Sequence, residues 1–259
     1  MKRYEEFPAP PGLGGLVDCL WRSEAPAAPA GAGLRAPVAH RVLPDNCTDI
    51  LWQDSGEAFF VGMMSTWFDV PAARRVRTVA VRFRPGAAGL FLGGLPLASL
   101  TDGRADLDVL WGRSDADRLG DALWSVARSD AERLALLAQA LYARLAAASP
   151  GARAATALAA RAVAELEAAG GALRVEQLAQ GLGVSRQHLA GQFRDHVGLS
   201  PKLFARICRF RAARAAALAG GGPDWAALAL DCGYFDQSHL IRDFHDFSGT
   251  SPDAYLGKR

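Results

Sequence analysis

The chain has 259 residues, half of them apolar and 22% charged, with a formal net charge of +2. That is long enough for one large or two ordinary domains with a buried core. The longest apolar stretch, LFLGGLPLASL at 90–100, is too short and too broken by Gly and Pro to span a bilayer, so no membrane partner is expected.

The opening MKRYEEFPAPP has acidic residues and no apolar leader run, so the expected compartment is the cytoplasm. Residues 38–101 then carry short apolar runs between turn signals: HRVLP, TDILWQ, AFFVGMM and VRTVAVRF. Runs of this length and composition read as strands. VRTVAVRF alternates, with Val76, Thr78, Ala80 and Arg82 on one face and Arg77, Val79, Val81 and Phe83 on the other. The stretch AFFVGMMSTWFDV at 58–70 is rich in large apolar groups. Domain core is one reading. The other is an apolar pocket for a small-molecule effector, lined by Trp52, Phe60, Met63, Met64, Trp67 and Phe68. Asp45, Asn46 and Asp49 either orient a polar group of such a ligand or serve turns and caps.

From Asp115 the period becomes helical. DADRLGDALWSVA and DAERLALLAQALYARLAAA each open on an acidic first turn. The second is amphipathic, and either packs on its own domain or forms a homodimer seam. ASPGA at 148–152 breaks the pattern, and everything after it reads as helical. The expected organisation is a β-rich domain at 1–148 with trailing helices, a linker at 149–153, and an all-α domain at 154–259. In fold class this is α+β.

Catalytic and metal signatures are sparse. Cys19, Cys47, Cys208 and Cys232 form no CxxC pair, which argues against a zinc site and a disulfide scaffold. His40 is the one histidine before residue 188, too few for a histidine-built metal centre there. His239 and His245 with Asp236, Asp243 and Asp246 read as packing, cap and solvent-face residues rather than ligands. Neither a Ser-His-Asp set nor a phosphate-binding Gly loop is present, so no metal, no cofactor and no enzymatic activity are expected.

The last third says one thing twice. GVSRQHLAGQFRDHVGLSP at 183–201 returns as GYFDQSHLIRDFHDFSGTSP at 233–252. Ala179, Gly183, Leu189, Phe193, Gly198 and Pro201 correspond to Ala229, Gly233, Leu240, Phe244, Gly249 and Pro252, with one extra residue in the second turn. A glycine able to take a left-handed conformation ends a short helix, and a second helix starts at an N-cap, Ser185 or Asp236. Leu and Phe at i, i+4 then face the core. This is helix-turn-helix spacing, whose second helix enters the DNA major groove. Between the copies, SPKLFARICRFRAARAAALAGGG reads as one long helix capped by Ser200 and ended by Gly220–Gly222. Residues 171–259 hold 11 Lys/Arg against 8 Asp/Glu, a balance that permits contact with nucleic acid.

Residues 173–256 resemble the DNA-binding domain of the AraC/XylS family of bacterial transcription regulators, and DCGYFDQSHLIRDFHDFSGTSPDAYL is close to that family's C-terminal signature. The resemblance implies seven helices, with two helix-turn-helix units joined by the long one. It also implies double-stranded DNA and RNA polymerase as partners, and an activator rather than a repressor. Residues 13–146, through LVDCLWR, HRVLPDNCTDILW, VRFRPGAAGLFLG and LTDGRADLDVLWG, resemble an uncharacterised front module of such regulators. On the reading faces stand Arg186, Gln187, Ala190, Gly191 and Arg194 in the first unit, and Gln237, Ser238, Ile241, Arg242 and His245 in the second. Gln suits adenine and Arg suits guanine, while Arg194, Arg206 and Arg209 are placed to hold phosphates. Gly191 departs from the bulky polar residue usual in similar proteins. Two alternatives stay open: a DNA-repair enzyme with a reactive cysteine, and a regulator whose front domain only dimerises.

Overall fold

The computed structural model describes residues 3–25, 40–70, 76–124, 127–219 and 223–257. The expected stop at Gly220–Gly222 lies outside them. Among these residues the front half holds the strands β1 (Arg3–Pro8), β2 (Val17–Ala25), β3 (His40–Val42), β4 (Thr48–Gln53), β5 (Ala58–Val61), β6 (Phe68–Val70), β7 (Val76–Phe83) and β8 (Arg104–Asp106). Six of them form one antiparallel sheet in the order β1-β2-β7-β4-β5-β8, while β3 and β6 pair separately.

The alternation in VRTVAVRF survives in β7, but neither face is left to solvent. Val79, Val81 and Phe83 join Ile50, Trp52 and Phe60 in the main front core. On the opposite face Ala80 packs with Cys19, Trp21 and Leu51. There Trp21 Nε1 donates to Asp49 Oδ1 at 2.7 Å and Arg82 Nε donates to the same oxygen at 3.3 Å. The sheet also starts earlier than expected, since β1 and β2 precede residue 38.

α1 (Leu107–Trp111), α2 (Arg113–Trp124) and α3 (Asp130–Ala147) close over the core face of the sheet. They contribute Leu107, Trp111, Leu123, Leu137 and Leu141 to it. α3 opens on a reciprocal cap in which Glu132 N donates to Ser129 Oγ and Ser129 N donates to Glu132 Oε2. Its apolar stripe is covered by its own domain.

Within the expected linker at 149–153, residues 150–153 are helical. Ser149 Oγ accepts from Ala152 N at 3.1 Å, and α4 (Pro150–Ala168) begins one residue later. Ser-Pro breaks the preceding helix and also starts the next one, because proline lacks only an amide that the first turn leaves unused. Ala152 packs against the front core, whereas Ala159, Ala162, Val163 and Leu166 belong to the helical core. Thus α4 bridges the two cores.

After α4 come α5 (Val175–Gly181), α6 (Arg186–Val197), α7 (Pro201–Ala219), α8 (Trp225–Asp231), α9 (Gln237–Ser248) and α10 (Pro252–Gly257). With α4 these make the seven helices that the family resemblance implies. The α+β class, with strands first and helices after, is the one observed.

Candidate nucleic-acid interface

Each copy of the repeat folds into the same local geometry. Gly183 (φ +69°) and Gly233 (φ +75°) turn the chain out of α5 and α8 in the left-handed region. Ser185 Oγ then accepts from His188 N at 3.1 Å, and Asp236 Oδ1 from His239 N at 2.7 Å, so both second helices start on a side-chain cap. Gly198 (φ +95°) and Gly249 (φ +70°) end them. Ser200 and Ser251 next cap α7 and α10 through Leu203 N and Ala254 N.

The long helix α7 carries both units. Its 19 residues span roughly 28 Å at about 1.5 Å each. Phe204 meets Phe193 of α6 edge-on at 5.4 Å, and Phe210 meets Phe244 of α9 in the same way at 5.1 Å. Equivalent phenylalanines of the two copies are therefore seated on one rod. Tyr255, from the G-T-S-P-x-x-Y ending, accepts a hydrogen bond from Arg214 Nε on its hydroxyl at 2.6 Å and packs beside Phe244.

On α6, Arg186, Gln187 and Arg194 are exposed, while Ala190 and Gly191 are half-buried. On α9, Gln237, Ser238, Arg242 and His245 are exposed and Ile241 is half-buried. Arg186 forms an exposed ion pair with Glu176 at 3.2 Å, a weak tie that a phosphate can displace. Beside this surface stands Phe235, 86% exposed in the turn before α9. Sequence reasoning passed over it, because an aromatic ahead of an N-cap usually folds back onto its helix.

Two expected phosphate contacts are committed elsewhere. Arg206 donates from Nε (3.1 Å) and Nη2 (2.6 Å) to Oδ1 of Asp243, which is fully buried, and from Nη2 to Asp246. Arg209 Nη1 donates to Gly171 O, and its guanidinium lies over the Tyr234 ring. Asp243 is accordingly no solvent-face carboxylate. It pins α9 to α7.

Gly191 has open space where a Cβ would go. Steric closeness inside the protein does not require it. Gly191→Ala is expected to raise stability by about 0.5–1 kcal/mol, the helix-interior difference between the two residues, in urea unfolding. A simultaneous fall in DNA affinity would show that the missing methyl lets the backbone approach the duplex; unchanged affinity would assign it to solvent.

The six effector candidates do not come together. Trp52 and Phe60 lie in the front core, and Met63 is buried in the helical core. Trp67 meets Gly249, whose Cβ, if present, would sit 2.6 Å from Trp67 Cε2. Met64 and Phe68 are half-buried, Phe68 on β6. The polar candidates are equally engaged. Asp45 Oδ1 accepts from Cys47 N, and Asn46 Nδ2 lies 3.4 Å from both Phe204 O and Cys208 Sγ of α7. Asp49 holds Trp21 and Arg82, with burial pushing its carboxyl up to about 6. A small cleft in the front domain lies elsewhere, among Arg22, Arg77, Trp124, Asp130 and Arg133.

Burial raises all four thiols, Cys19 and Cys208 to about 11 and Cys47 and Cys232 in the same direction. A nucleophilic cysteine needs the opposite shift. Among the described residues no cluster of His, Cys, Asp and Glu could hold a metal ion, and no helix is long and apolar enough to cross a membrane.

Residues 178–258 match a family described as a helix-turn-helix domain, and residues 5–106 match one described as a domain of unknown function (DUF6597). No curated protein matches the chain. Solved structures similar in shape include ToxT from Vibrio cholerae O395, at 11% identity over 86% of this chain and 94% of that one, with a TM-score of 0.44. ToxT bound to (E)-4-(8-methylnaphthalen-1-yl)but-3-enoic acid is 12% identical over 86% and 98% of the two chains, with a TM-score of 0.43. ToxT from Vibrio cholerae bound to an unsaturated fatty acid is 10% identical over 86% and 96%, with a TM-score of 0.38. The chain thus carries an AraC-type helix-turn-helix domain, a DNA-binding domain of transcription regulators, with both of its units mounted on one helix behind a front domain of unknown function.

Proposed function

We propose that the protein activates transcription by laying α6 and α9 into successive major grooves, under the control of a small molecule taken up by its front domain. Residues 1–148 form the sensing part and 154–259 the reading part, with the first turn of α4 as the joint between them. RNA polymerase is the partner for activation, a homodimer is the assembly proposed, and the cytoplasm is the compartment. The observation that carries the reading is the pair of matched, capped helices seated on one rod, with Arg186, Gln187, Arg194, Gln237, Ser238, Arg242 and His245 exposed. In this reading Gln187 and Gln237 suit adenine, Arg186 and Arg242 suit guanine, and Arg194 holds a phosphate.

Fluorescence anisotropy on a duplex selected from a random pool by the full chain tests it. Arg242→Ala and Gln237→Ala should each weaken binding about 5- to 150-fold, the effect of losing one base contact of about 1–3 kcal/mol. Arg194→Ala should weaken all sequences alike and reduce the salt slope by about one. A selected pool with no sequence preference, bound equally by all three variants, would overturn the reading. For the sensor role, protein purified from its cells should release a small molecule on denaturation that restores or alters DNA binding when added back.

A further inference from the structure

The front domain reaches the far ends of both reading helices. The last carbonyls of a helix have no intrahelical donor. In α9, Asp246 O accepts from Thr66 Oγ1 at 2.7 Å and Ser248 O accepts from Arg41 Nη1 at 3.1 Å. Arg41 is held for this by a two-fold hydrogen bond to Asp69, 2.9 Å on each side, and lies over the Trp67 ring at 3.7 Å. Trp67 in turn fills the space beside Gly249 that a side chain would occupy. At the end of α6, Gly198 O accepts from Thr101 Oγ1 at 2.5 Å.

These two anchors are one object. Asp102, next to Thr101, accepts from Ser65 N at 2.6 Å and from Ser65 Oγ at 2.5 Å, and Ser65 is next to Thr66. Asp102 N also donates to Met63 O at 2.9 Å. Behind them, Gly62 packs so tightly on the 3₁₀ turn Leu97–Leu100 that an added Cβ would lie 1.8 Å from Leu100 O. Asp102 holds a left-handed backbone (φ +57°) without being glycine. Such a conformation persists where its surroundings impose it.

We propose that Thr101–Asp102 and Ser65–Thr66 form a brace that ties the C-terminal end of α6 to that of α9, and so sets the spacing at which the two helices meet DNA. Thr101, Asp102 and Thr66, with Arg41, are then positioning residues for DNA reading, though they lie in the front domain and touch no base. The inference rests on the assignment of α6 and α9 as the reading helices. It also gives the front domain a direct mechanical route to both grooves, because a shift of the segment 62–67 against 97–103 changes the distance between the two anchors. α7 alone ties the units through one rod; the brace makes a second, parallel tie.

The test uses the full chain and duplexes it selects from a random 40-base-pair pool. Asp102→Ala removes the clasp on Ser65, and Thr101→Val removes one hydroxyl with little change of shape. Thermal unfolding identifies temperatures at which each variant is folded. Under those conditions both variants should keep the wild-type half-site motifs. They should lose tenfold or more in affinity for the two-motif duplex and accept a wider range of half-site spacings. Asp102→Asn, which tolerates the left-handed backbone and keeps a carbonyl acceptor, should retain more of the wild-type spacing. Folded Asp102→Ala and Thr101→Val with wild-type affinity and spacing, or with tighter binding at unchanged spacing, would overturn the brace. Failure of the underlying assignment looks different: wild type would select no paired motifs, and Arg242→Ala and Gln237→Ala would bind as it does.

Discussion

Gly171→Ala is expected to destabilise the helical domain by roughly 2–5 kcal/mol, enough to unfold a marginal domain in the cell. Two costs combine. Gly171 has φ +78°, a conformation that costs an alanine about 1–2 kcal/mol. The new methyl would also sit 2.1 Å from Ala205 O and 3.0 Å from Cys208 Cβ. Both neighbours belong to α7, the rod that carries the two reading units, so relief means moving the rod. Overpacking of this kind costs about 1–3 kcal/mol or more. Gly183→Ala separates the two terms. Its φ is +69°, but nothing lies within 4 Å of the added methyl, so about 1–2 kcal/mol is expected. Urea unfolding of both variants checks the difference. Equal losses would show that the contact with α7 contributes nothing.

The repeat was legible because everything that makes it is local. Left-handed glycines, N-caps at Ser185 and Asp236, and Leu–Phe pairs at i, i+4 depend on residues within one turn of each other. The two capped helix pairs and the long helix between them follow from such signals, while the count of seven is what the family resemblance implies. The front sheet was half legible. β7 alternates and β4 and β5 carry short apolar runs between turn signals, whereas β1 and β2 are held by pairing to each other and by β2 pairing with β7, almost sixty residues on. Short runs of that kind carry little strand signal by themselves.

The contacts between the halves were not legible at all. Thr66 and Asp246 are 180 residues apart, and Arg41 and Ser248 are 207 apart. Nothing in STWFDV says that its tryptophan will cover a glycine at the end of α9. An aromatic, methionine-rich segment looks the same whether it lines a pocket, fills a core or seals a joint, and here it does the last two. Ser-Pro at 149–150 carries a helix stop and a helix start in the same residues, so the break alone does not say how long the joint is.

Arg206 is where the sequence reading and the structure make opposite predictions. As a phosphate contact, Arg206→Ala would leave the melting temperature alone and lower the salt slope of DNA binding by about one. As the partner of Asp243, it should cost about 3–5 kcal/mol of stability and leave the salt slope of the folded protein unchanged. The second outcome is expected. Asp243 is fully buried, and Arg206 supplies the two hydrogen bonds to its Oδ1. Without the guanidinium a buried carboxylate is left without its charge partner. Truncation of the other partner is milder. In Asp243→Asn the arginine keeps Asp246 at 2.6 Å and some access to solvent, so about 1–2 kcal/mol is expected. Replacing both, as Arg206→Met with Asp243→Leu, should recover most of the loss, because two apolar groups leave no charge to strand. If the double variant regains its stability but not its DNA affinity, the pair does more than hold the fold: it fixes the pitch of α9 on α7, and with it the direction of the exposed face that carries Gln237 and Arg242.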